Sequence, residues 1–190
     1  MRRFILASAS PRRRDLLAAA GLEFDVLATA VAEEPHEGEP PREFALRMAR
    51  AKALAASRVN PAHLVLAADT IVELEGETIG KPKDPEAARR TLKRLSGRTH
   101  TVITAFAIAQ REDVLEAEAV LSQVSFRTLT IQEVDAYILS REPFDKAGAY
   151  GIQGMGRGFV EHIEGSFTNV MGLPIEKALP ALKRYLSPAS

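Results

Sequence analysis

A mixed α/β fold, with a central sheet flanked by helices, is what this sequence predicts, and three observations predict it. Short β-like runs alternate with helical segments along the whole chain. One run, Leu64-Val65-Leu66-Ala67-Ala68, is continuously apolar, as a strand covered on both faces must be. The length of 190 residues is enough for one substantial core and demands no second domain, so a single unit over 1–190 is expected.

Each element has its own signal. Phe4-Ile5-Leu6-Ala7 reads as the first strand. A helix follows from Pro11 to about Ala20, with Leu16, Leu17 and Ala20 on one face, a proline suited to its first position and Gly21 as the stop. A second strand covers 24–27. The acidic, proline-containing stretch between Ala30 and Pro41 reads as a loop, and the alanine-rich segment 42–57 as a helix. The buried strand from Leu64 ends on Asp69-Thr70, ahead of a second short run through Leu74, and Glu75-Gly76-Glu77 makes a turn. Asp84 caps a helix that opens on Pro85 and carries Leu92 and Leu95 to Gly97.

The stretches 99–109 and 117–128 are rich in β-branched and aromatic residues and read as two long strands joined through Arg111-Glu112-Asp113. Thr130 and Glu133 have the spacing of a capping box for a helix over 134–139. Segment 148–158 is glycine-rich, 159–163 suits a strand, and the last helix runs from near Pro174 to about Leu186. There is no internal repeat, linker or low-complexity tract.

Composition removes several classes of function. Lys plus Arg and Asp plus Glu number 25 each, so there is no overall basic field of the kind that marks many nucleic-acid binders. The absence of cysteine excludes disulfides, a thiolate nucleophile and cysteine-ligated metals, and makes the cytoplasm the expected compartment. Met1-Arg2-Arg3 ahead of Phe4-Ile5-Leu6-Ala7 has the outline of a signal sequence, but the apolar stretch is short and runs at once into three arginines. No apolar run is long enough to span a bilayer, so no membrane partner is expected.

The chemistry concentrates in a few places. Ser8-Ala9-Ser10-Pro11-Arg12-Arg13-Arg14 sets hydroxyls and guanidinium groups where a strand feeds a helix, a natural place to hold phosphate. The plain alternative is an ordinary helix start with a solvated basic turn. Asp69, at the end of an apolar run, is costly to leave without a cation, and its alternative is a turn cap through Thr70. Glu33, on the acidic loop, is a second hard oxygen donor that would suit Mg²⁺ beside Asp69. Lys81, in Gly80-Lys81-Pro82, can reach a phosphate oxygen, although the spacing from Gly76 and the following proline rule out a Walker A loop. Lys52 lies on the polar side of its helix, where a solvated lysine is the ordinary expectation. Gln153, between glycines in Tyr150-Gly151-Ile152-Gln153-Gly154, can both donate and accept, as reading a base edge requires. Those glycines do not have the dinucleotide-binding spacing, and the four histidines lack metal-ligand spacing.

Taken in order, LASASPRRRDLL, AADTIV, GKP, LSGRTHTV and FDKAGAYGIQG resemble the Maf family of nucleoside triphosphate pyrophosphatases over nearly the whole chain. The resemblance implies a fold related to the inosine triphosphatase superfamily, with two lobes around a cleft, and frequently a homodimer. Arg12 and Gln153 make the branch acting on dTTP and UTP the nearer one, with modified pyrimidine nucleotides as further candidates. By the same resemblance, Asp69 is the catalytic acid-base position and Arg12, Thr70 and Gln153 are the substrate-choice positions. Ser8, Ser10, Arg13, Lys52 and Lys81 match the phosphate-binding set, while Glu33 joins Asp69 as a ligand for Mg²⁺ or Mn²⁺. The implied reaction is hydrolysis of the α–β phosphoanhydride to a nucleoside monophosphate and pyrophosphate. Its alternative is a nucleotide-responsive regulator of division or septum formation without turnover.

Overall fold

The computed structural model describes residues 3–186, so Met1 and Arg2 of the signal-like start lie outside the described residues. Seven strands form one mixed sheet. The strands are β1 (Phe4–Ala7), β2 (Phe24–Val26), β3 (Val65–Leu74), β4 (Glu77–Ile79), β5 (Thr99–Gln110), β6 (Asp113–Phe126) and β7 (Val160–Glu164). Their order is β2-β1-β3-β5-β6-β7, with β4 pairing on β3. β1 runs parallel to β2 and β3, and the other pairs are antiparallel.

The helices are α1 (Pro11–Ala19), α2 (Pro41–Val59), α3 (Pro85–Leu95), α4 (Ile131–Leu139), α5 (Phe167–Met171) and α6 (Ile175–Leu186). The capping box expected at Thr130 and Glu133 is formed. The 5-residue helix α5 and the short strand β4 went unread, because neither is long enough to display a period.

Two corrections bear on the site. β3 does not end at Asp69 but continues unbroken to Leu74, pairing Asp69 with Ala105 and Thr70 with Thr104 on β5. What ends there is its parallel neighbour: the last β1 pair is Ala7 with Ala67, so β3 emerges past the end of β1 two residues before Asp69. Ligand-binding crevices of α/β sheets form where parallel strands stop in this way. β6 begins at Asp113, earlier than its composition suggested, because its first residues are exposed and carry no apolar run. Arg111 and Glu112 close the β5–β6 hairpin with positive φ at both.

Packing explains the lobes. One face of the sheet's first half is covered by α2, whose Phe44, Ala45, Ala49, Ala53 and Ala56 meet Ile5, Val65, Ala67, Ile103 and Ala105. The opposite face packs Phe4, Leu6, Leu66 and Phe106 against Leu17 of α1 and Ala178, Leu182 and Leu186 of α6. A separate core at the far end joins Val72, Val102 and Phe126 to Leu92 and Leu95 of α3, Val134, Tyr137 and Ile138 of α4, and Tyr150, Ile152 and Phe159. β3 passes from one lobe to the other, and Asp69 and Thr70 lie at the crossing.

Candidate active site

Because side chains alternate along a strand, Asp69 and Thr70 point to opposite faces. Asp69 shares its side with Ala67 and Ile71, the residues that pack on α2, and there it meets Lys52. The Lys52 ammonium donates to Asp69 Oδ1 at 2.5 Å and lies 2.5 Å from Glu33 Oε1. Lys81 Nζ stands 3.6 Å from the other Glu33 oxygen. Lys52 is therefore not on a solvated face. It falls in the stripe Ala45, Ala49, Lys52, Ala53, Ala56 and is only 9% exposed, which makes a partner obligatory. Burial alone would raise the Glu33 pKa, but the hydrogen bond and charge of Lys52, aided by Lys81, outweigh it and hold Glu33 below the usual carboxylate range.

Thr70 faces the other way, toward α1 and α5. Arg13 donates from Nη2 to Thr70 Oγ1 at 3.0 Å, from Nη1 to Ser8 Oγ at 3.0 Å and from Nε to the Gly172 carbonyl at 2.7 Å. Thr104 gives its hydroxyl proton to the Asn169 carbonyl at 2.8 Å, so in the 2.9 Å contact between the two threonines Thr70 is the donor. The Thr70 hydroxyl is thus spent on holding Arg13 and β5. Ser8 Oγ accepts from Arg13 and from the Ser10 amide, which leaves its own proton available to a ligand. Burial lowers the Arg13 pKa and the charge of Asp69 opposes that shift.

These groups open on one cleft of about 470 Å³, a volume within the range of small-molecule sites. Ser10, Arg12, Arg13, Glu33, Lys52, Asp69, Thr70 and Lys81 all line it, and Ser8 lines the adjoining recess. Gln153 does not line it. It is exposed, while the two preceding residues, Gly151 and Ile152, form part of the wall. Sequence reasoning missed Lys83, Asp145 and Lys146, which also line the cleft. The signal for the last two lay in FDKAGAYGIQG, directly ahead of the glycines that drew attention. Arg12, Arg13, Lys52, Lys81, Lys83 and Lys146 face Glu33, Glu34, Asp69 and Asp145. The cleft therefore has a surplus of positive charge although the whole chain has none.

A wider groove of about 950 Å³ lies at the start of α3 and the end of α4, but its Arg89 and Asp135 already pair with each other at 2.6 Å. Among the described residues no group of three or more acidic or histidine side chains could hold a metal ion. Glu33 and Asp69, which share Lys52, are the hard oxygen donors of the cleft whose chemistry would suit a divalent cation completed by a ligand's phosphate oxygens.

A two-lobed α/β protein with cations gathered around a half-shielded carboxylate pair defines a class, one built to grip a polyanion and act on it. Residues 3–185 match the family described as Maf-like protein, and the chain belongs to the Maf family. Curated relatives agree. A protein of Geobacter sulfurreducens named dTTP/UTP pyrophosphatase is 49% identical, with 96% of each chain covered. Proteins of the same name from Clostridioides difficile and Yersinia pestis are 44% and 48% identical, over 96% of this chain and 95% and 92% of theirs. Among solved structures, the Ham1 protein of Staphylococcus aureus and a HAM1 protein of Coxiella burnetii each reach a TM-score of 0.50. The former is 18% identical over 97% of this chain and 98% of that one, the latter 16% over 100% of both, and both share the fold.

Proposed function

We propose that this protein is a nucleoside triphosphate pyrophosphatase that hydrolyses dTTP and UTP, and modified pyrimidine nucleotides of the same shape, to the monophosphate and pyrophosphate. The observation that carries the reading is Asp69, held with Glu33 on one buried lysine inside a cleft of surplus positive charge. The names of the relatives support the choice of substrate.

Arg12, Arg13, Lys81 and the Ser8-to-Ser10 turn bind the triphosphate and spread its charge as the α–β bond lengthens. Asp69 orients a water and takes its proton as the oxygen attacks the α-phosphorus. The new bond is P–O to water, the broken one is the α–β anhydride, and pyrophosphate leaves with the electron pair. Glu33 and Asp69 would hold Mg²⁺ or Mn²⁺, which would supply neutralisation of the phosphate charge. Arg12, Thr70 and Gln153 set substrate choice, Thr70 by fixing Arg13. With this reading go a cytoplasmic setting, a homodimer, and no part for nucleic acid or membrane.

The test is release of pyrophosphate from a panel of nucleoside triphosphates with each metal. Asp69→Asn is expected to lower kcat at least about hundredfold on dTTP and UTP, the usual worth of a positioned acid-base group. Near-normal turnover in that variant removes Asp69 from the chemistry. Binding of dTTP without pyrophosphate release by the unmodified protein would favour a sensor over an enzyme.

A further inference from the structure

The loop that carries Gln153 is tied at both ends to one pair of side chains. Tyr137, in the last turn of α4, accepts a hydrogen bond from the Gly151 amide at 3.1 Å and donates its own proton to Glu142 Oε1 at 3.0 Å. Glu142, in the short 3-10 turn that follows α4, accepts from the Met155 amide at 3.1 Å and, at 3.5 Å, from the Gly156 amide. Gly151 precedes Gln153 and Met155 follows it, so the two anchors bracket the residue. The main-chain carbonyl of Glu142 also accepts from Lys146 Nζ at 2.6 Å, and Lys146 lines the cleft beside Gly151.

The loop's glycines are shaped to this pair. A Cβ at Gly154 would stand 2.8 Å from Glu142 Oε2, and one at Gly156 would stand 2.8 Å from the Tyr137 hydroxyl and 2.5 Å from the Gly151 carbonyl. The backbone contact at Gly156 tolerates no side chain, and at Gly154, where φ is +78°, a side chain would be strained and would displace the Glu142 carboxylate. Tyr137 itself is fully buried, and its ring packs edge-on against Phe159 with centroids 4.9 Å apart. Burial raises the phenol's pKa, so it remains a neutral donor at any working pH. The anchor is therefore rigid on the core side, while Gln153 itself is exposed and depends on the bracket for its position.

We infer that Tyr137 and Glu142 are positioning residues for base selection: their hydrogen-bonded pair fixes the 151–156 loop, and with it the Gly151–Ile152 wall, the Lys146 flank and the adjoining Gln153. The inference rests on the proposed pyrimidine triphosphate activity and adds a determinant outside the residues that touch substrate. A loop released from the pair would still leave the phosphate-binding groups of the other lobe in place. Base discrimination is what should weaken.

The experiment compares the unmodified protein with Tyr137→Phe, which removes one oxygen and keeps the core ring, and Glu142→Gln, which keeps the shape and replaces an acceptor by a donor. The readouts are kcat/KM for dTTP, UTP and CTP, inhibition by pyrophosphate, and amide hydrogen exchange at Gly151, Met155 and Gly156. The expected result is faster exchange at those amides, a preference for dTTP and UTP over CTP narrowed by about fivefold, the equivalent of one lost hydrogen bond, and unchanged pyrophosphate inhibition. Unchanged preference in both variants, or unchanged exchange, overturns the inference, as does an equal loss on all three nucleotides with weakened pyrophosphate inhibition. If the unmodified protein hydrolyses neither dTTP nor UTP, the proposed function fails separately, and exchange at the three amides still decides whether the pair holds the loop.

Discussion

At the scale of single residues, Lys52 decides the character of the site. It is the only described cation placed within 2.5 Å of both Glu33 and Asp69, and its own side chain and that of Asp69 are each 11% exposed. Removing one member of such a pair strands a buried charge, so Lys52→Met is expected to destabilise the fold by about 3 kcal/mol in denaturant titration. A pH signature accompanies it. Glu33 has a folded pKa below its ordinary 4.5, so the stabilisation it gives is complete above that value and is lost as pH falls through the lower folded pKa. Without Lys52 the chief opponent of burial is gone, and the fall in stability below about pH 4.5 should flatten. A variant whose stability curve superimposes on that of the unmodified protein across pH 3–6 would show that Lys52 does not govern Glu33. None of this was readable from the isolated residue. A lysine in an alanine-rich helix is ordinarily solvated, and only the rotation of α2 against the sheet turns position 52 inward alongside Ala49 and Ala53.

At the scale of elements, His100 fastens the start of β5 into the core built around α3 and α4. The imidazole is buried near the start of β5, its Nε2 lies 2.8 Å from the Tyr150 hydroxyl, and its ring stands edge-on to Phe126 with centroids 5.0 Å apart. Burial lowers its pKa from 6.5 to about 4. The unfolded chain therefore takes up a proton as pH falls through 6.5 while the folded protein does not until about 4, so stability declines across that window. The contribution is on the order of 3 kcal/mol, and His100→Gln should remove that part of the slope in denaturant titrations from pH 7 to 4. An unaltered slope would mean that His100 is protonated normally when folded. The elements themselves were largely legible: α1, α2, α3, α4 and α6 announced themselves by caps, prolines and periodicity, and β5 by its β-branched run. β3 misled because Asp69 interrupts an apolar pattern, and a strand that carries a catalytic candidate in mid-course looks from sequence like two short ones. The Gln153 segment could be recognised as unusual but not placed, since its position depends on Tyr137 and Glu142, separate in sequence and joined to it only by tertiary contacts.

At the scale of the whole molecule, the balance of 25 basic and 25 acidic residues conceals a cleft of surplus positive charge where β3 crosses between lobes. The lobes have separate cores, one set around α1, α2 and α6 and another around α3 and α4. A ligand seated in the cleft touches Arg13 and Lys52 on the first side and Lys81 and Lys146 on the second, so its binding should oppose unfolding of both lobes. Asp69→Asn offers the clean measurement, because substrate then persists long enough for a thermal scan. With dTTP at about one hundred times its Kd, linkage gives about 2.7 kcal/mol, which for a chain of this size raises Tm by roughly 5–10 °C. A single cooperative transition that moves upward by that amount is the expected result. Two transitions, of which dTTP moves only one, would mean that the nucleotide contacts a single lobe, and the crossing of β3 would then not be the place where it binds.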